Sequence, residues 1–424
     1  MNRREMTDVV RSALDAASGY DATAVLSERR EATVRFGQNR ITQNGDTFRR
    51  ELELTMGRDG RKATATTQRI DSASLSGLAA GIREQIATAP EDPEYMPPVE
   101  GGQVYPVVDD WDPDTSDMQT QRRVRAASRA IREAKGRGME AAGIAHAAMH
   151  KTALGTSTGN LAFHRRTDAS YGLTVNAGSG SSYRHLSGNS WSGLPAEETV
   201  KEVAEEAAAA QDPAEAPTEA CSVLLEPEAV ANLVPFLIYS LNARLADEGV
   251  TVFSGMEGKR VTGDGFTLRS RLDGPVRGRP FDPEGLPCGD AVWIENGILQ
   301  RMLCGRYWAR RTGRTPVSSP GCYYVDGGEG DVAEGMRQMG SGLLIRRLWY
   351  LRFVDQKSLE ITGMTRDGVF GVENGRQAGP VADFRWNWKP LELLRRIAWM
   401  GTPVGKGRLH VPPMVLEGAT TGKL

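Results

Sequence analysis

His146 and His150 stand four residues apart, the spacing by which a helix brings two imidazoles to one metal ion. The chain around them reads GIAHAAMHKTALGT, a strand-like run of small residues. Four residues along a strand span about 13 Å, and two ligands each about 2.1 Å from one zinc cannot stand that far apart. The pair is therefore expected to be ordinary strand residues, and His164, His185 and His410 are isolated. Four cysteines, Cys221, Cys288, Cys304 and Cys322, are scattered without a CxxC pair. That pattern suits reduced thiols and gives no nucleus for a structural zinc site. None shows the local signature of a catalytic thiol. The elements Gly178-Ser179-Gly180 and Gly263-Asp264-Gly265 do not follow a strand and open a helix, so neither is a dinucleotide fingerprint.

The densest group of binding-type side chains lies in RYWARRTGRTPVSSPGCYY (306–324), where Tyr307, Trp308, Arg310, Arg311 and Arg314 come close together. Guanidinium forks hold phosphate or a peptide carboxylate through paired hydrogen bonds. These five residues are the candidate contacts to a substrate or partner. The alternative is a solvated loop with aromatic anchors in the core. LLIRRLWYLRFVDQ (343–356) reads in two ways. It is either an edge element at a subunit interface, where Trp, Tyr and Arg are enriched, or a buried strand with snorkelling Arg stems.

The elements that must position these residues follow from pattern. At 424 residues the chain is long enough for two domains, each with its own core. Residues 3–18 suit a helix. Residues 20–46 read as strands with turns at Gly37-Gln38-Asn39 and Asn44-Gly45-Asp46. Residues 51–68 form a hairpin around Arg-Asp-Gly, and 71–89 a helix capped near Asp71. Residues 115–137 suggest a basic amphipathic helix carrying Val124, Ile131 and Ala134 on one face. Strands flank a Ser-Thr-Gly turn in 143–180, and a short helix covers 195–210. Residues 212–220 form the expected linker between an N-terminal α+β domain (1–220) and a C-terminal β-rich domain with helical insertions (221–424). The latter opens with a helix whose stripe runs Val230, Leu233, Val234, Leu237, Leu241, Leu245, and Pro235 within it predicts a kink.

A formal charge of −2 provides no whole-chain field toward nucleic acid or an acidic membrane. No apolar stretch is long enough, without interruption by Arg, to cross a bilayer. The start MNRREMTDVV lacks the apolar core of a signal peptide, so a cytoplasmic protein is expected.

Three segments resemble the TldD/PmbA family. One is VLLEPEAVANLVPFLIYSLNARLADEGVTVFSG (223–255), which is similar to the family's core helix and its closing VFSG. A second joins Glu28-Arg29-Arg30, Val34-Arg35 and the helix start from Asp71 to Leu75. The third is AWMGTPVGKGRLHVPPMVLEGATTG (398–422). In the TldD half of that family the helix carries an HExxxH metal motif. Counted back from Val252–Gly255, its two His positions fall on Val234 and Tyr239 and its Glu on Pro235. The neighbourhood that supplies a third ligand, a Cys, has Met400 here, and no Cys follows Cys322.

The resemblance implies a two-domain α+β protein of the TldE/PmbA type, with no metal of its own and no catalytic residues in this chain. It implies a heterodimer or larger assembly with a TldD-like catalytic subunit that holds zinc and cleaves peptides or unfolded chains. The partner would polarise the scissile carbonyl and activate water, and this chain would complete the enclosed chamber. The Ala- and Arg-rich composition suits a high-GC bacterium, where such pairs can serve peptide maturation or natural-product pathways. The rival reading is a recruited enzyme, alone or paired, that uses 306–324 to hold a small substrate. A third is a homodimer without chemistry.

Overall fold

The computed structural model describes residues 1–117 and 119–422. Its first half is built on one long strand. Residues 21–37 alternate in character, and β1 (Asp21–Gly37) buries the even-numbered Ala22, Ala24, Leu26, Ala32, Val34 and Phe36 on one face. It pairs antiparallel with β2 (Arg40–Arg58) on one side and β4 (Glu140–Thr156) on the other. With β3 (Arg61–Thr67), β5 (Leu161–Ala177) and β6 (Gly180–Gly188) this gives a six-stranded sheet in the order β3-β2-β1-β4-β5-β6.

All the long helices of this half lie on the buried face. Helix α1 (Arg3–Ala16) starts with a capping box between Asn2 and Glu5, and α2 (Ser72–Thr88) is capped by Asp71. Together they press Met6, Val10, Leu75 and Ile82 against Leu26, Leu52 and Leu54. After the short α3 (Pro113–Ser116), α4 (Thr120–Gly136) and α5 (Thr199–Ala209) press Ala126, Ala130, Val203 and Ala207 against Val34, Tyr171 and Leu173. The opposite face carries charge. His146 lies 3.5 Å from Glu31 and His150 lies 3.3 Å from Asp168, side by side along the strand as expected.

Two expectations change here. Asn44-Gly45-Asp46 is no turn: these residues lie inside β2, opposite Val34, Thr33 and Ala32. The basic helix expected over 115–137 is observed as α3 and α4, and residue 118 lies outside the described residues.

The strands of the other three sheets all follow residue 220. Strand β7 (Cys221–Leu225) is central in one of them, parallel to Gly342–Ile345 and antiparallel to Met414–Ala419. A second six-stranded sheet includes Leu268–Ser270, Tyr323–Val325 and Leu409–Val411. A three-stranded sheet holds Leu348–Asp355 at its edge beside Glu360–Thr365 and Arg385–Trp388. Helix α6 (Pro227–Ser240) lies in the largest core, with Val230, Leu233, Val234 and Leu237 against Phe253, Phe266, Trp293 and Trp386.

The stripe expected to run on to Leu245 ends earlier. Asn242 caps a new helix, α7 (Ala243–Asp247), and leaves Leu245 half-buried. Helix α6 is continuous through Pro235. That residue is exposed, so the carbonyl it leaves without a donor can meet water. The 343–356 run divides: its first part is a buried strand and its second the exposed edge strand.

Candidate functional site

The positions read for a metal motif diverge on α6. Val234 is 4% exposed and packed in the core, Pro235 is exposed, and Tyr239 is 54% exposed. Five residues along a helix turn a side chain by about 140° from its starting face, which explains the split. The Tyr239 ring lies 5.5 Å from Phe353 on the edge strand, and Phe236 meets Phe353 edge-on at 4.8 Å. Valine and proline offer no donor atom, and the exposed phenol, one turn beyond Pro235, lies on a different face from Val234. These residues do not fit a zinc ion. Among the described residues no group of three or more His, Cys, Asp or Glu could hold one.

The Arg and aromatic segment, read as a loop, contains a helix, α8 (Arg306–Thr312), closed by Gly313 in the left-handed conformation. Tyr323 and Tyr324 are buried in a strand well beyond it. The structure does bring Tyr307, Trp308, Arg310, Arg311 and Arg314 together, but much of their charge is already answered. Arg314 meets Glu257 at 2.8 Å and Asp247 at 3.1 Å, and the Trp308 indole donates to Asp247 at 2.8 Å. Arg311 and Arg244 each lie 5.3 Å from the Trp308 ring centre, and Arg244 is held by Glu94 and Glu248. Arg310 and Arg311 meet no carboxylate among the described residues. Arg310 reaches the Met96 sulfur at 3.7 Å, and Arg311 the Tyr307 hydroxyl at 3.4 Å. Tyr307 lines a cleft of about 360 Å³ with Glu53, Lys62, Glu94 and Glu284.

The buried cysteines are unreactive. Burial pushes the Cys288 and Cys322 thiols up to about 11, so neither is a thiolate at neutral pH.

Sequence reasoning missed a second cleft of about 420 Å³. It lies between β5–β6 and two loops of the C-terminal half, 274–277 and 405–408. Asp110 and Asp168 form its acidic side, with Arg408 4.0 Å from the first and 3.8 Å from the second. Asp110 is held in place by its backbone carbonyl, which accepts from the Thr167 amide at 2.9 Å. Burial, reinforced by the charge of Asp168, raises the Asp110 carboxyl to about 7. Burial acts on Asp168 in the same sense, but His150 and Arg166 outweigh it and hold that group low. Burial lowers His185 on the adjoining strand. No local signal marks this site, because its parts come from residues 110, 167–170, 185–189, 274–277 and 405–408.

Comparison with known proteins gives a consistent picture. A family profile described as the PmbA/TldA metallopeptidase C-terminal domain matches residues 218–423, and one described as the PmbA/TldA metallopeptidase central domain matches residues 110–211. A metalloprotease PmbA homolog from Haemophilus influenzae is 32% identical over 134 residues, a match spanning 30% of this chain and 29% of that protein. A Thermotoga maritima protein titled a modulator of DNA gyrase superposes with a TM-score of 0.88 at 20% identity, covering 99% of this chain and 100% of the other. TldE from Thermococcus kodakarensis gives 0.88 at 15% identity, covering 98% and 99%. At these identities the two structures establish the fold alone.

Proposed function

The chain belongs to the PmbA/TldD metallopeptidase family, and within it we propose the role of a metal-free, TldE-like subunit paired with a zinc-bearing TldD-like partner. The observation that carries this reading is the set of side chains on α6. Val234 is committed to the core, Pro235 has no donor, and Tyr239 faces outward beside Phe353. A subunit with this helix contributes walls and backbone to a peptidase assembly, and peptides or unfolded chains are the substrate class it would help to enclose.

Metal analysis of the chain expressed alone and together with a TldD-like partner tests the reading. The expected result is no bound zinc in the chain alone. The mixed complex should hold less than one zinc per chain, with peptide cleavage confined to it. Tightly bound zinc in the isolated chain would overturn the proposal, as would turnover by that chain with a chelator present.

The rival, a recruited enzyme that holds a small anion on 306–324, needs free guanidinium groups. Arg314 is already engaged by Asp247 and Glu257, which leaves Arg310 and Arg311 as the contacts it would have to use.

A further inference from the structure

We propose that the cleft between β5–β6 and the 405–408 hairpin binds a primary ammonium group on a short chain, with Asp110 as the carboxylate that receives it. The ammonium can come from the free amino terminus of a peptide or from a small amine. Every residue that lines the cleft comes from this chain.

Asp110 is 5% exposed and lines the cleft, and no described side chain or amide donates to its carboxylate, whose oxygens keep only the contact with water that the cleft allows. Its nearest cation, Arg408, stands at 4.0 Å, is shared with Asp168 at 3.8 Å, and donates another N–H to the Arg277 carbonyl at 2.7 Å. Buried carboxylates without donors are costly, and a cation that also donates hydrogen bonds is the natural complement. Asp168 has no such need, since Arg166 lies 3.0 Å away and His150 3.3 Å.

The shape of the site narrows the guest. Of the two arginines that line the cleft, Arg277 is paired with Asp273 and Arg408 is shared between the two carboxylates, so neither is free to favour an anion. A divalent metal would need more ligands of its own kind than are gathered here. An ammonium has three donors and a compact charge, and Ser187 and Asn189 line the cleft together with Asp110. Gly188, Gly405 and Gly407, all exposed, line the cleft without a side chain, and the exposed Asn189 stands beside Gly188. The volume of about 420 Å³ falls in the range of small-ligand pockets and leaves room for the chain that carries the amine.

The site is pH-sensitive in a defined direction. An ammonium needs ionised Asp110, whose proton affinity is raised by burial and by Asp168. The groups facing it are Arg166 and Asp168 on β5, His150 on β4, His185 on β6, the neighbouring Asp109, and Arg277 and Arg408 on the two loops. The Asp110 carboxyl is pushed to about 7. Affinity should therefore fall as the pH drops through that value.

Calorimetry on the full chain alone tests the proposal with three probes: trialanine, N-acetyl-trialanine and butylamine. The expected result is saturable binding of trialanine, of butylamine or of both, and whichever binds more tightly identifies the source of the ammonium. The acetylated peptide should bind at least about 10-fold more weakly than its parent. Asp110→Asn, which keeps the side-chain shape, should lose at least about 10-fold, with folding checked by thermal unfolding. Asn189→Leu, which adds bulk at the exposed mouth without touching the buried carboxylate, should lose binding too. Equal saturable binding of free and acetylated peptide, unaltered binding in Asp110→Asn, or no saturation by any probe at millimolar concentration would each overturn the proposal. None of these outcomes bears on zinc content, so this site and the subunit role fail separately.

Discussion

Arg346 and Glu226 face each other with Nε 3.4 Å from Oε1, each side chain only 11% exposed. Arg346 also reaches Glu206 on α5, and Arg184 on β6 pairs with the same two carboxylates at 2.6 and 3.5 Å. Two arginines and two glutamates thus join the helix-backed sheet to the start of α6. Breaking a buried pair from one side leaves an uncompensated charge. Arg346→Met is expected to destabilise the protein by about 3 kcal/mol, at the low end of the range because Arg184 remains. Urea unfolding checks this, and Arg346→Met with Glu206→Gln should recover part of the loss.

Asp110 predicts a conflict between stability and binding. Its folded-state carboxyl titrates near 7, above its value in the unfolded chain. The folded protein therefore holds a proton that the unfolded chain has released between about pH 4 and pH 7, and stability falls as pH rises through that window. Asp110→Asn removes the burden. The variant should be more stable than the parent at pH 8, by at most about 4 kcal/mol, with the difference vanishing near pH 4. Unfolding curves at both pH values measure it.

Gly180 opens β6 under the end of α5. A Cβ there would come within 2.5 Å of the Ala207 carbonyl and 2.7 Å of the Gln211 amide, both backbone atoms that cannot swing aside. Gly180→Ala must lift the helix from the sheet and should cost about 1–3 kcal/mol. Denaturant midpoints of the variant and parent settle the size.

Restoring the HExxxH residues should not restore a metal site. In Val234→His, Pro235→Glu, Tyr239→His, the first imidazole enters the core and the second projects toward solvent about 140° around the helix. The variant is expected to bind no stoichiometric zinc and to lose at least about 1–3 kcal/mol through the buried, unpartnered ring. Metal analysis beside a melting curve tests both parts.

Much of the fold was legible where period and capping agreed. The alternation along β1, the turn after Gly37 and the Asp71 cap each specify their element locally. Asn44-Gly45 misled because its turn preference is overruled by pairing of the long β2 with β1. The α6 stripe overran because Asn242 starts a new helix within the same apolar sequence. Of the candidate residues, Tyr307, Trp308 and Arg314 do cluster, yet their acidic partners Asp247 and Glu257 lie some 50 or more positions upstream and gave no local hint. The Asp110 cleft was invisible for the same reason. Its chemistry arises only when distant segments meet.

The face of the N-terminal sheet turned away from its helices has a consequence for any assembly. Glu31, His146, His150 and Asp168 lie along it, still 20–36% exposed. Stripping water from so many ionisable groups costs more than surface contact returns. A neighbouring molecule will therefore rest on the rims of this sheet and leave a hydrated gap over its middle.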